Sequence, residues 1–287
     1  MLHHLNKLPQ KPKRVVILGA SGFVGSSITR QCKINKIKTL EISSQEIDLR
    51  KNESINSLNS IILPNDYIVA VAAIAPVKSL SMLSENLLII NNIIRAVQNS
   101  KIDYFLNIGS DAVFSDEPIP ISEKSIKAPE TLHGIMHLTR EIEFSKLPFP
   151  NSCLRPTLIY GKDDPHGGYG PNQFRRLLLS NENLFLFGKG EETRDHIYID
   201  DIGKLSLNMI LNKSVGSMNA ATGNTYSFKK IADIMIKLYN HDRSIIYKPR
   251  IGPMPHNGNR PFDITTIYKA FPNFEFTELS QGLKTLF

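Results

Sequence analysis

The sequence predicts an α/β protein, a doubly wound parallel sheet with a smaller C-terminal lobe. Three observations predict it. Short apolar runs, VVIL at 15–18 and YIVAVAAIA at 67–75, alternate with segments of helical periodicity such as SENLLIINNIIRAVQNS at 84–100. A glycine-spaced turn, GASGFVG at 19–25, stands between the first run and the first helix. Beyond about residue 160 the alternation loosens into a Gly/Pro-rich loop, GKDDPHGGYGPNQF, followed by shorter elements.

Each element follows from its pattern. The leader MLHHLNKLPQKPKR is basic and has no apolar stretch, so it reads as a loose lead-in and not as a secretory signal. Val15 to Leu18 is uninterruptedly apolar, as a strand covered on both faces must be, and a helix begins near Phe23. KTLEISS at 38–44 is the second strand, YIVAVAAIA the third and DYFLNIGSDAVF at 103–114 the next. Strands joined by helices give right-handed crossovers and a parallel sheet. The predicted division is residues 1–160 for the sheet domain, with a returning segment at about 195–222. Residues 161–194 and 223–287 form the lobe, laid across the carboxyl ends of the strands, where ligands bind in such sheets.

Composition narrows the function. With 41% hydrophobic and 21% charged residues, the chain has the make-up of an ordinary globular protein. No apolar run reaches the roughly 18 residues of a membrane span. The net charge of +7 is scattered apart from KPKR at 11–14, and no basic stripe carries interleaved aromatics, which argues against a nucleic-acid partner. Cys32 and Cys153 lie far apart without CxxC spacing, so a reducing cytoplasm is expected, with neither a disulfide nor a zinc site.

Gly19, Gly22 and Gly25 have G-x-x-G-x-x-G spacing at the first βα turn. Such glycines let the backbone approach a pyrophosphate, while the helix N-terminus supplies amide donors and a favourable dipole. This is a Rossmann-type nucleotide turn, formed by Gly19, Ser21, Gly22, Phe23, Val24 and Gly25. At the end of the second strand, where an acid would bond a ribose hydroxyl and repel a 2′-phosphate, stand Ser43 and Ser44. Two hydroxyls favour NADP. Glu41, two residues earlier on the same face, would favour NAD if the register shifted.

With these pieces in place, the chain resembles the extended short-chain dehydrogenase/reductase family of NAD(P)-dependent nucleotide-sugar epimerases, dehydratases and 4-keto-reductases. GASGFVG matches its phosphate turn, and VAAIA stands where a family strand passes the cofactor, implying Ala72, Ala73 and Ile74 as cofactor contacts. NLLIINNIIRAV keeps Asn86 and Asn92 at the family spacing. GSDAVFSD resembles the serine-bearing strand, which implies Ser110 as the catalytic hydroxyl and Asp111 beside the substrate. LRPTLIYG implies Pro156 at the cofactor, and LFGKGEETRDHIYIDDI and NRPFDIT follow in family order. By this likeness Arg194 and Arg260 hold a sugar nucleotide's diphosphate, and Asn172, Gln173 and Phe174 lie near its base or ribose. The stretch SSQEIDLRKNES is most similar to the reductase branch and implies that Asp48 and Leu49 contact adenine. The likeness also implies a homodimer.

The catalytic pattern of that family is Tyr-x-x-x-Lys; here LHGIMHLTRE puts His133 and His137 at the two positions. Tyrosine, with a pKa near 10, needs a neighbouring cation to work at neutral pH, whereas histidine titrates near 6.5 unaided. The paired change is therefore chemically coherent. His133 could act as acid toward a sugar oxygen bonded by Ser110, and His137 could bond the cofactor ribose. A decayed site that still binds nucleotides, in a pseudoenzyme with a structural or regulatory role, fits the same residues, as does an engineered replacement. Two histidines at i, i+4 are half a metal set without an HExxH acid, and neither His166 nor His196 completes it, so no metal is expected.

Overall fold

The structure is a computed structural model and describes residues 2–239 and 242–287. In chain order its elements are β1 (His3–His4), β2 (Val15–Leu18), α1 (Phe23–Ile34), β3 (Thr39–Ile42), α2 (Glu53–Ile61), β4 (Tyr67–Ala70), α3 (Leu80–Val97) and β5 (Tyr104–Ile108). They continue with α4 (Leu132–Ser145), β6 (Asn151–Pro156), β7 (Leu158–Tyr160), α5 (Pro171–Leu179), β8 (Leu184–Phe187), β9 (Thr193–Tyr198), α6 (Ile199–Leu211) and β10 (Ser214–Ala220). Last come β11 (Thr225–Ser227), α7 (Phe228–Tyr239), β12 (Ile245–Lys248), β13 (Asn259–Arg260), α8 (Thr265–Ala270) and α9 (Leu279–Lys284).

Seven strands form the main sheet in the order β1-β10-β6-β5-β4-β2-β3, parallel except for β1. The apolar run of β2 explains its central place. Val15 and Ile17 face a layer containing Ile28, Ile202 and Leu205, while Val16 and Leu18 face one containing Ile89, Ile90 and Ile93. All four are fully buried, each contributing about 1.5–3 kcal/mol of burial free energy. From β2 the chain first adds β3 on one side, then crosses back to add β4 on the other. That reversal makes the tips of β2 and β4 a topological switch point, the place where an open parallel sheet leaves a crevice.

The leader differs from the loose segment predicted. His4 bonds Ser214 Oγ through Nδ1 at 2.9 Å and the Ala270 carbonyl through Nε2 at 3.0 Å, and its ring packs on Phe271. These contacts dock β1 as an antiparallel edge on β10.

The smaller sheet is organised on β9, which pairs with β11, β13 and β7. A separate parallel pair, β8 and β12, lies with α5 and α7 around a core of Phe174, Leu178, Phe228, Ile231 and Met235. An isolated bridge between Ile121 and Phe262 ties these elements to the loop that follows β5.

Candidate active site

The Gly19 end of the turn is held by backbone hydrogen bonds. Gly19 adopts φ +93°, and both its amide and that of Ala20 donate to the Ile42 carbonyl, at 2.8 and 3.1 Å. A Cβ on Gly19 would lie 2.7 Å from the Ala72 nitrogen, and one on Gly25 would overlap the Gly19 carbonyl. Gly22 is different, because its Cβ would meet only the Gly19 oxygen, at 3.3 Å. It caps α1 without a side-chain hydrogen bond, and the first turn carries no acid. The first-turn amides are thus left to an outside anion, in a cradle that a side chain would fill. This arrangement fits a dinucleotide's pyrophosphate. Ser21 is exposed on the rim, and Phe23 and Val24 are half-buried.

The rim at the tip of β3 is charged. The Ser43 amide and hydroxyl both donate to Glu46 Oε2, at 2.7 and 2.9 Å, and these bonds hold the exposed carboxyl below the usual range. Ser44 is exposed. Asp48 pairs with Arg50, which also reaches Glu85. Leu49 is buried in the core, and its carbonyl accepts from Asn92. Across the crevice, Asn86 bonds both the amide and the carbonyl of Ile74 at 2.9 Å, fixing the segment that carries Ala72 and Ala73.

Helix α4 brings the two histidines to the same wall. Thr131 caps it by accepting from the Gly134 amide at 3.1 Å, which makes His133 the second helical residue. The rings of His133 and His137 meet edge to face with centroids 4.6 Å apart. The Val77 amide lies 3.5 Å from His133 Nδ1; as a long hydrogen bond it would make Nδ1 the acceptor and leave the proton on Nε2. Burial pushes the His133 imidazole down from its ordinary pKa, with Asp111 opposing and His166 adding to the shift. His137 is pushed well below, chiefly by burial, then by His133 and Arg140, and its Nδ1 is buried without a partner. A Cβ on Gly134 would overlap the Ala112 carbonyl, so α4 presses directly on the turn bearing Ser110 and Asp111. Ser110 Oγ accepts from the Ala112 amide at 3.2 Å and keeps its own proton for another acceptor.

Arg140 joins this wall to the nucleotide turn and was not singled out from the sequence. Fully buried, it donates to Asn107 Oδ1 and to the Ala72 and Ala70 carbonyls, each at 2.6 Å. All three are neutral oxygens. The readable signal was a cation one turn after His137, in phase with the buried Met136 and Phe144.

The sequence profile of the NAD dependent epimerase/dehydratase family matches residues 15–221. The chain belongs to this family. A relative named GDP-L-colitose synthase, from Yersinia pseudotuberculosis, is 21% identical over 264 residues, which span 82% of this chain and 84% of that one. Among solved structures, a UDP-glucose 4-epimerase of Thermotoga maritima with UDP-glucose superposes with a TM-score of 0.83 at 20% identity, covering 95% of this chain and 97% of that one. A GDP-L-fucose synthetase from Naegleria fowleri bound to NADP gives a TM-score of 0.84 at 16% identity, covering 99% and 95%. These structural likenesses show the fold of this epimerase/dehydratase chain.

The lobe side of the crevice is more internally paired than the motifs imply. Arg260 is buried and donates to Asp111 Oδ2 at 3.1 Å, to Asp116 and to the Asp111 carbonyl. Arg194 stands opposite it in register, paired with Glu192 at 2.5 Å and donating to the carbonyls of Thr193 and Pro255. Glu192 also takes Arg250, so three arginines face three carboxylates. Asn172 pins the segment after β7 by bonding the Gly161 amide and the Ile159 carbonyl, both at 3.1 Å. Gln173 is half-buried with an unpartnered Oε1, while the Phe174 side chain is fully enclosed in the lobe core. Pro156 ends β6, buried and in register with Ala220. Among the described residues, no group of three or more His, Cys, Asp or Glu is arranged to hold a metal ion.

Beside Arg194, Asp195 gathers the Thr222 and Gly223 amides and the Thr157 hydroxyl, and burial raises its pKa to about 6. His196 is enclosed and pushed down to about 4 by burial. A histidine held neutral in the folded state opposes folding once the unfolded chain takes up the proton, so its stability cost grows as pH falls from 6.5 toward 4. Asp195, shifted the other way, gives up stability as pH rises from 3.8 toward 6, and the two partly cancel in the wild type. A comparison with His196→Gln isolates the histidine. Urea unfolding should show the wild type losing about 3 kcal/mol relative to the variant between pH 6.5 and 4. A pH-independent difference would refute this.

Proposed function

We propose that this chain is an NAD(P)-dependent nucleotide-sugar reductase or epimerase in which His133 and Ser110 act together on the sugar oxygen. The observation that carries the reading is the continuous wall from Gly19 through Ala72 and Arg140 to the His137–His133 pair, with α4 resting against the Ser110 turn. A dinucleotide cradle and a hydrogen-bond donor would thereby share one crevice. A bound nicotinamide would supply or accept the hydride. Gly19, Ser21, Gly22, Phe23, Val24 and Gly25 would hold the pyrophosphate, and Ala72, Ala73, Ile74 and Pro156 would flank the cofactor.

The residues of the chain supply the rest. Because burial keeps His133 neutral, its Nε2–H acts as a hydrogen-bond donor, and the Ser110 hydroxyl donates to the same oxygen as charge gathers there, the proton that finally neutralises it coming from solvent water. Asp111 favours the protonated ring and so opposes the effect of burial. His137, also neutral, would bond a ribose hydroxyl of the cofactor, while Arg140 provides the permanent cation that the family's lysine would otherwise give. The proposed substrate class follows relatives named for GDP-L-colitose and GDP-L-fucose synthesis and an epimerase structure holding UDP-glucose. Residues 161–194 and 223–287 would receive it, with Asn172, Gln173, Arg194 and Arg260 as contacts.

A second reading, a nucleotide-binding pseudoenzyme, is favoured by one observation, the pairing of Arg194 and Arg260 with carboxylates that a diphosphate would have to displace. Oxidation of NADH or NADPH with a panel of 4-keto nucleotide sugars separates the two. Turnover that disappears in His133→Ala supports the enzyme; binding without turnover by any panel member supports the pseudoenzyme.

The same proposal places the protein in the cytoplasm, in keeping with two buried unpaired cysteines, and no helix among the described residues is long and apolar enough to cross a membrane. It also makes the protein a homodimer through α3 and α4, which pack side by side and expose Leu80, Leu87 and Leu88, and Ile135 and Ile142. Light scattering at the mass of a single chain would refute the dimer.

A further inference from the structure

We propose that Glu46 selects the unphosphorylated dinucleotide, its carboxylate accepting from the adenosine ribose hydroxyls and repelling a 2′-phosphate. The inference rests on the dinucleotide reading above and goes beyond it in naming the cofactor and the residue that chooses it. The sequence offers Ser43 and Ser44 at the tip of the second strand and no acid at that position, a pattern that favours NADP. The folded chain changes the chemistry of that tip. It turns back immediately after β3, so Glu46 returns its carboxylate to the place where Ser43 stands.

Three observations carry the assignment. First, Ile42 holds the Gly19 and Ala20 amides on its carbonyl, so Ser43 is only one residue removed from the phosphate turn. In Rossmann-type sites the adenosine ribose lies at this junction. Second, both donors of Ser43, amide and hydroxyl, are already engaged by Glu46 Oε2 at 2.7 and 2.9 Å. A 2′-phosphate arriving there would find a carboxylate in place of donors. The other carboxylate oxygen has no such bond and remains an acceptor. Third, acids outnumber cations at this rim, with Glu46, Asp48 and Glu85 against Arg50 and Lys51. Arg50 is shared between Asp48 and Glu85, which leaves Lys51 as the remaining cation near Asp48. A phosphate of nearly two negative charges is repelled by such a rim, whereas a ribose diol is a donor to it.

The spacing Ser43-x-x-Glu46 also closes a turn in the manner of a capping box. Glutamine preserves that role while removing the charge, so Glu46→Gln distinguishes turn from selector. Isothermal titration of the whole protein with NADH and with NADPH, alongside thermal melts, makes the test. The wild type should bind NADH at least about tenfold more tightly than NADPH. Glu46→Gln should melt with the wild type and bring the two affinities within about threefold, and Glu46→Ala should do the same even if its melt drops slightly. A wild type that prefers NADPH, or an affinity ratio unchanged in both variants, overturns the role of Glu46 and leaves the dinucleotide site standing. Uptake of neither nucleotide overturns both.

Discussion

Gly25→Ala is expected to abolish measurable dinucleotide binding, with a loss of at least about 100-fold, and to lower the melting temperature. In an ordinary helix alanine would be favoured over glycine by about 1 kcal/mol. Here the added Cβ would overlap the Gly19 carbonyl oxygen and stand 3.0 Å from the Ala20 Cα. Every obstructing atom is backbone, so none can rotate aside. The turn must move as a unit, away from the Ile42 carbonyl that receives both of its amides. Overpacking of this kind costs about 1–3 kcal/mol, and the displaced turn no longer forms the cradle. Gly22→Ala separates the two consequences, since its Cβ would meet only one oxygen at 3.3 Å. It should melt close to the wild type yet bind the dinucleotide more weakly, because the space it fills is the ligand's. Calorimetry and thermal melts read both effects, and a Gly25→Ala protein with wild-type affinity would show that the turn holds no phosphate.

His133→Ala should lower kcat by about 100- to 1,000-fold, the range of a lost hydrogen-bond donor to a developing oxyanion, while leaving dinucleotide affinity within a few-fold of the wild type. The sign of the pH dependence follows from burial. The folded imidazole titrates below its ordinary value and is neutral near pH 7. If neutral Nε2–H is the donor, activity stays level near neutrality and falls on the acid side, below pH 6.5, as the ring is protonated and its acceptor Nδ1 is lost. Activity that climbs steadily as pH falls would instead make imidazolium the acid. The double replacement His133→Tyr with His137→Lys is the complementary experiment. Gain of turnover would mark the histidines as decay of the family pair, and loss would mark them as its working substitute.

The fold was legible because it rests on period and punctuation. VVIL and YIVAVAAIA lack alternation because both faces of those strands are covered, and GASGFVG sits where a strand must hand over to a helix. The histidine pair was legible for a similar reason, since a spacing of four on a helix fixes a shared face. What stayed hidden depends on where long side chains end. Arg260 reads as a free phosphate ligand, but Asp111 and Asp116, far away in sequence, reach its guanidinium first. Phe174 sits among residues with an implied ligand role, yet its place on α5 turns it into the lobe core. Glu46 lies three residues past the strand tip, and only the fold-back brings its carboxylate to Ser43. Arg140 is a cation with neutral partners deep in the sheet layer, an arrangement that sequence rules treat as costly and therefore do not anticipate.

The most direct measurement follows the imidazole resonances of protein labelled at histidine while reduced dinucleotide is added. A crevice in which the nicotinamide end reaches the α4 wall predicts that the His133 and His137 signals move with saturation, that distant His3 stays still, and that Gly25→Ala shows no movement at all. Dinucleotide that binds and leaves both α4 signals unshifted, or fails to bind, would contradict the account.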